Sequence, residues 1–191
     1  MHSTLISIKA IDRAVKQYGQ FVEEKRLWLV DGRLYVEDLA AMLESLASEM
    51  EIGAVFIDYI QKVPSQNRGT VGQRYLEIKH VSSLLLEQAI SKNVPILLGA
   101  QLNRTSNTSS RIKLDALRES GDIEQDANLV IGLYNESVAE MEDTPQPDTL
   151  VDTDIELSVL KNKAGVSGTK LVLNFHKPTL RITDDGSSGL Y

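Results

Sequence analysis

Four polar side chains stand where β-strands have no need of them. The run IGAVFIDYIQKV at residues 52–63 contains a short apolar stretch, residues 54–57, that ends in Asp58. An uninterrupted β-branched and aromatic run of this kind reads as a strand buried on both faces, as in a parallel sheet. A carboxylate at the exit of such a strand is costly unless a charge meets it. In open α/β sheets the carboxyl ends of strands are where ligands sit, and a lone aspartate suits a Mg²⁺ ion bound to phosphates. Asp58 reads equally well as a cap for the following turn. Gln101 closes a second apolar run, and Lys161 with Lys163 follows a third. An acid for Mg²⁺, an amide for a phosphate and paired lysines together suggest phosphoryl chemistry. Taken singly, Gln101 is also a cap and the lysines an ordinary charged edge. Their shared location at strand ends favours the joint reading.

The elements that must position these groups follow from periodicity. Ile8, Ile11, Val15, Tyr18 and Val22 alternate spacings of three and four, which predicts an amphipathic helix over residues 7–24. Residues 27–30 predict a short strand before the turn signal Asp31-Gly32. The same three/four spacing predicts helices over 36–50 and 73–92, separated by the Asp58 strand and a polar loop at 64–72. Residues 94–100 predict a second buried strand, which makes a strand–helix–strand unit with a right-handed crossover. Residues 105–110 are nearly all small and polar, a mobile low-complexity loop, and 114–126 alternate in charge with little apolar content. Residues 128–134 predict a third buried strand, 135–153 an acidic exposed excursion, and 155–160 with 171–175 a hairpin around 164–168. Residues 180–182 suggest a last edge strand. No repeat or linker divides the chain, so the expectation is one domain over 1–183 and a flexible tail over 184–191.

Composition narrows the chemistry further. The 191 residues are 42% hydrophobic and 25% charged, ordinary for a soluble globular protein. The absence of cysteine excludes disulfides and thiolate metal sites, and the three scattered histidines lack ligand spacing. No apolar run reaches a membrane span and no signal peptide opens the chain, so the expected compartment is the cytoplasm. A net charge of −7 argues against a free-standing, charge-driven nucleic-acid binder, though not against a protein that gathers basic loops inside a ring.

Four segments, IDYIQKV, AQLNR, LRESGDIEQDANLVIGLY and LKNKAG, occur in the order and at the separations of the DnaB-type replicative DNA helicases. The chain resembles their C-terminal ATPase domain over roughly residues 27–183. The resemblance implies an α/β, RecA-like, mostly parallel twisted sheet flanked by helices, with a C-terminal antiparallel hairpin and an incomplete N-terminal part. It implies ATP and Mg²⁺ as cofactors, single-stranded DNA and a homo-hexamer as partners, with a helicase loader and primase as further ones, and no membrane. By the same resemblance Asp58 matches the Walker B aspartate that supports the nucleotide-bound Mg²⁺. Gln101 matches the glutamine that senses the γ-phosphate. Arg118, Glu119 and Gly121 match the loop that follows the DNA backbone. Lys161 and Lys163 match the pair that reaches a neighbouring subunit's nucleotide.

Two departures qualify these expectations. The chain contains no GxxxxGK[ST] phosphate loop, which in the family lies upstream of the matching region with the catalytic glutamate. The 191 residues alone are therefore expected to be inactive. Lys163 stands where the family commonly has arginine, and a lysine lacks the bidentate fork. A non-catalytic, shortened module that binds DNA or a helicase is the rival reading. LRESGDIEQDA argues against a recombinase or clock-type ATPase on the same fold.

Overall fold

The computed structural model of the chain describes residues 8–67, 69, 72–101, 121–135 and 152–184. The polar loop at 105–110, most of the acidic excursion and all but the first residue of the expected tail lie outside them. The chain separates into two compact units, Met1–Leu34 and Tyr35–Tyr191.

In the first unit the three/four spacing produces α1 (Ile8–Glu23). Its end is closed by Lys25 in the left-handed region and by Arg26, whose guanidinium lies 4.9 Å from the centre of the Phe21 ring. The strand expected at 27–30 is not formed. Trp28, Leu29 and Val30 are exposed, and the Trp28 indole N–H donates to the Lys25 carbonyl at 3.2 Å. An apolar tetrapeptide becomes a strand only where a neighbouring edge takes up its main-chain groups.

In the second unit α2 (Val36–Glu49) buries Val36, Leu39 and Leu43. Then come β1 (Val55–Ile57), a 3₁₀ turn (Ile60–Lys62), α3 (Arg74–Lys92) and β2 (Ile96–Leu98). β1 and β2 pair in parallel, with Phe56 opposite Leu97, so the strand–helix–strand unit is present as the spacing predicts. α3 ends at Asn93, which takes the left-handed C-cap conformation that asparagine tolerates. Ile78, Val81 and Leu85 on α3, with Ile60 and α2, form the core, while Tyr75 at the start of that face is 48% exposed.

The strands are not buried on both faces. Phe56 is 75% exposed and Leu97 beside it is 47% exposed. A run of three apolar residues has the composition of a doubly covered strand, but burial depends on what packs against it, and among the described residues α3 lies against β2. Glu37 pins the loop that follows the 3₁₀ turn: it accepts from the Ser65 hydroxyl at 2.6 Å and the Gln66 N–H at 3.0 Å, with His80 Nε2 at 3.2 Å.

The remaining elements are α4 (Gly121–Asp126), β3 (Leu129–Tyr134), β4 (Thr153–Asn162), β5 (Lys170–His176) and β6 (Arg181–Thr183). The strands form an antiparallel sheet in the order β3-β4-β5-β6. The expected hairpin is therefore present, and the edge strand with it. β3, expected as a third buried strand, heads this antiparallel sheet, and Leu129, Ile131 and Leu133 on it are exposed. The class is mixed α/β, with one parallel pairing and three antiparallel pairings among the described strands.

Leu85 is 2% exposed and Ile90, five residues along the same helix, 70%. Leu85→Ala is expected to lower the unfolding free energy by about 2–5 kcal/mol. Ile90→Ala should change it by no more than about 0.5 kcal/mol. Urea denaturation of the two variants side by side checks this, and equal losses would show that the buried face is misassigned.

Candidate functional site

The sequence-predicted residues fall into two groups. Asp58 follows the last residue of β1, where its side chain is exposed and has no hydrogen-bond or ion-pair partner among the described residues. The peptide that follows it, Asp58–Tyr59, is cis. Gly99 continues β2 beside it: its N–H donates to the Ile57 carbonyl at 2.9 Å, and its own carbonyl accepts from the Ile60 N–H at 2.9 Å. A Cβ at Gly99 would stand 3.3 Å from Tyr59 Cβ, a tight contact, and 3.5 Å from Asp58 Oδ1, an ordinary one, so glycine relieves crowding against Tyr59. Gln101 lies two residues on. The structure thus brings Asp58 and Gln101 to the same end of adjacent parallel strands.

Gln101 is held there by a residue that the motif reading passed over. The Gln61 side-chain oxygen accepts from the Gln101 N–H at 3.2 Å, and the Gln61 amide donates to the Gln101 carbonyl at 3.1 Å. The carbonyl of Gln61 accepts in turn from Arg74 at the first turn of α3, and Arg74 also pairs with Glu77. Gln61 sits within IDYIQKV, but its partner is main chain forty residues away. Nothing in the residue types announces that contact.

Lys161 and Lys163 form the second group, beside α4. They follow an irregularity in the β3–β4 ladder, where Val130 pairs with Lys161 and Ile131 with Val159, leaving Leu160 unmatched. Lys161 Nζ donates to the carbonyls of Glu124 and, at 3.2 Å, Gln125; Lys163 Nζ lies 3.4 Å from the carbonyl of Asp126. These are last-turn carbonyls of α4, groups that a helix leaves without internal partners and where a cation also meets the negative end of the helix dipole. Gly121 is the first residue of α4. Arg118 and Glu119 lie outside the described residues.

α3 ties the two groups together. Its Ser82 hydroxyl donates to Asp126 at 2.7 Å, and its Lys79 pairs with Asp122 at 3.0 Å. Hydrogen bonds from Tyr75 and then Lys79 hold the Asp122 carboxyl below its ordinary range, and the same carboxylate raises both Tyr75 and Lys79.

An exposed, unpartnered carboxylate at a strand end fits a Mg²⁺ ion that keeps several waters and binds mainly to phosphate oxygens. Among the described residues no three acidic or histidine side chains gather to enclose an ion, so Asp58 would be its principal protein ligand here.

Comparison with known proteins assigns the chain to a family. The model of the DnaB-like helicase C-terminal domain matches residues 2–184. The chain belongs to this family. It is 31% identical over 148 residues to the replicative DNA helicase DnaB of Mycoplasma genitalium, covering 76% of this chain and 31% of that protein. Against the DnaB of Geobacillus stearothermophilus it is 31% identical over 136 residues, covering 70% of this chain and 28% of the relative. The chain thus spans about a third of the length of the curated relatives it matches. A solved DnaB-like replicative helicase, studied with its primase interactions, superposes with TM-score 0.71 at 19% identity over 94% of this chain and 43% of that one. A solved ATPase domain superposes with TM-score 0.68 at 20% identity, covering 96% and 66%. The fold is therefore that of the RecA-like DnaB ATPase domains. Among the described residues of this DnaB-family chain no helix is long and apolar enough to cross a membrane.

The Asp122 joint makes a pH prediction. A depressed carboxyl contributes stability that is present above its ordinary pKa and is lost as pH falls through the folded-state value. Raised Tyr75 and Lys79 contribute stability that is lost as pH rises through theirs. Asp122→Asn removes both limbs. The gap in melting temperature between the parent and Asp122→Asn is expected to be widest near neutrality and to close toward strong acid and strong alkali. A gap that stays constant across the acid limb would remove Asp122 from this role.

Proposed function

We propose that this chain is the motor part of a hexameric replicative DNA helicase that couples ATP hydrolysis to 5′–3′ translocation on single-stranded DNA and to duplex unwinding. The observation that carries the reading is the convergence of Asp58 and Gln101 at the carboxyl ends of adjacent parallel strands. Bound Mg²⁺–ATP would supply the electrophilic phosphorus and the charge that makes transfer possible. Asp58 would hold the ion. Gln101 reaches the terminal phosphate and distinguishes its presence from its absence.

Lys161 and Lys163 stabilise negative charge on the nucleotide of the adjacent subunit. An ammonium has three donors, and Lys161 uses two on α4 carbonyls, which leaves one for a phosphate oxygen. Arg118, Glu119 and Gly121 follow the DNA backbone. Gly121 lets main-chain N–H groups approach a phosphate, and Arg118 supplies charge. The compartment in this reading is the cytoplasm, at the nucleoid, with a loader and a primase as further partners and residues 184–191 as a tail to the domain. The 191 residues contain no GxxxxGK[ST], so by themselves they bind nucleotide incompletely and do not turn it over.

That same missing motif favours a second reading, a non-catalytic module that binds DNA or a helicase. A reading frame that continues upstream into GxxxxGK[ST] would eliminate it. In the full-length protein, Asp58→Asn is expected to weaken Mg²⁺-dependent nucleotide binding at least about tenfold, or ~1.4 kcal/mol. Gln101→Ala should leave binding in place and abolish DNA-stimulated turnover. Calorimetric titration and a phosphate-release assay separate the two, and wild-type turnover in both variants would refute the site.

The DNA loop has its own test. Arg118→Ala should weaken single-strand binding uniformly across sequences and lower the salt slope by about 0.7. Fluorescence anisotropy over a salt titration measures both, and an unchanged slope would take Arg118 off the backbone.

A further inference from the structure

β2 ends at Leu98, and the main-chain pairing between the two parallel strands closes with Gly99, which bonds to Ile57 and Ile60. Beyond that point the N–H and carbonyl of Gln101 are taken up by one side chain, the Gln61 carboxamide, at 3.2 Å and 3.1 Å. A primary amide presents a donor and an acceptor side by side, as a peptide group does. Gln61 therefore supplies the next rung of the ladder from a side chain. Its own carbonyl is fixed by Arg74, and Arg74 is fixed by Glu77, whose other oxygen accepts from the Ser65 N–H at 3.2 Å.

We propose that Gln61 is the positioning residue for Gln101: its carboxamide sets the main chain from which the Gln101 side chain reaches toward a nucleotide phosphate, and its carbonyl ties that setting to α3 through Arg74. The proposal rests on the reading of Gln101 as the phosphate-contacting residue, but its structural half stands apart from it. Displacement of Gln101 along the strand direction pulls on Gln61, and through Arg74 on the first turn of the helix whose Tyr75, Lys79 and Ser82 hold α4. A small misplacement of a reacting partner is enough to cost about a hundredfold in rate.

The carboxamide can be replaced by groups that keep its size and remove its function. Gln61→Leu removes donor and acceptor. Gln61→Glu keeps the acceptor for the Gln101 N–H, but as a carboxylate it sets an oxygen against the Gln101 carbonyl. When protonated, its O–H restores the donor, so this variant is repaired by acid.

Amide hydrogen exchange on the chain without nucleotide reads the position of Gln101 directly. Gln61→Leu is expected to speed exchange at the Gln101 amide at least about tenfold while leaving the amides of Val55 and Gly99, which bond to the carbonyls of Pro95 and Ile57, protected, a local opening and not global loss. Gln61→Glu, which keeps the acceptor but sets an oxygen against the Gln101 carbonyl, should fall between the parent and Gln61→Leu at neutral pH and recover protection on acidification, corrected for the intrinsic pH dependence of exchange. In the full-length protein Gln61→Leu should lower kcat about a hundredfold with KM for ATP within about twofold. Exchange at Gln101 that is unchanged in Gln61→Leu overturns the inference whatever happens to turnover. If exchange rises as expected but Gln101→Ala retains full turnover, the positioning stands and the phosphate-sensing reading falls. If Gln61→Leu fails to fold, the acid recovery of Gln61→Glu decides, and its absence overturns the proposal.

Discussion

The second unit depends on one helix that is apolar on one side and chemically busy along another. Ile78, Val81 and Leu85 seat α3 in the core, and that fixes its rotation and height. Once those are fixed, Arg74 meets the Gln61 carbonyl, and Tyr75, Lys79 and Ser82 meet carboxylates of α4. The hydrophobic contact sets the geometry and the polar contacts exploit it. Burial of three aliphatic side chains is non-directional and strong, whereas each exposed polar pair contributes little by itself. Displacing the helix would break all of the polar pairs at once.

This arrangement joins two groups of polar residues through one helix. The Asp58–Gln101 end of the parallel strands touches the first turn of α3 through Gln61, and α4 with its lysines touches the turns that follow. A rigid helix of nineteen residues is a short lever. Both attachments fall within its first nine residues, from Arg74 to Ser82, and both are directional.

Much of this was legible in the sequence, for reasons that differ from element to element. The helices announced themselves because apolar residues at three/four spacing line up on one side only when the backbone is helical. The hairpin β4–β5 did so because alternation is the signature of pairing with one face covered. Asp58 and Gln101 were legible as a pair because a polar residue at the end of an apolar run has to be accounted for. Phe56 was misread as buried because a sequence records which residues can be covered and not what covers them. The strand at 27–30 failed for the related reason that pairing belongs to two segments. The attachment of Lys161 and Lys163 to α4 was not legible: the acceptors are main-chain carbonyls, which every residue has, and a six-residue helix with Ile123 as its single large apolar residue carries no apolar period to betray where it ends. Gln61 was hidden by the same rule.

The lysine anchors at α4 bear on timing as well as on place. A free lysine side chain explores many rotamers, and arresting it costs up to roughly 2 kcal/mol. Lys161 is already arrested by the carbonyls of Glu124 and Gln125. Its disorder is therefore removed once, when the chain folds. A lysine arrested in this way keeps its charge at a fixed place beside the end of α4.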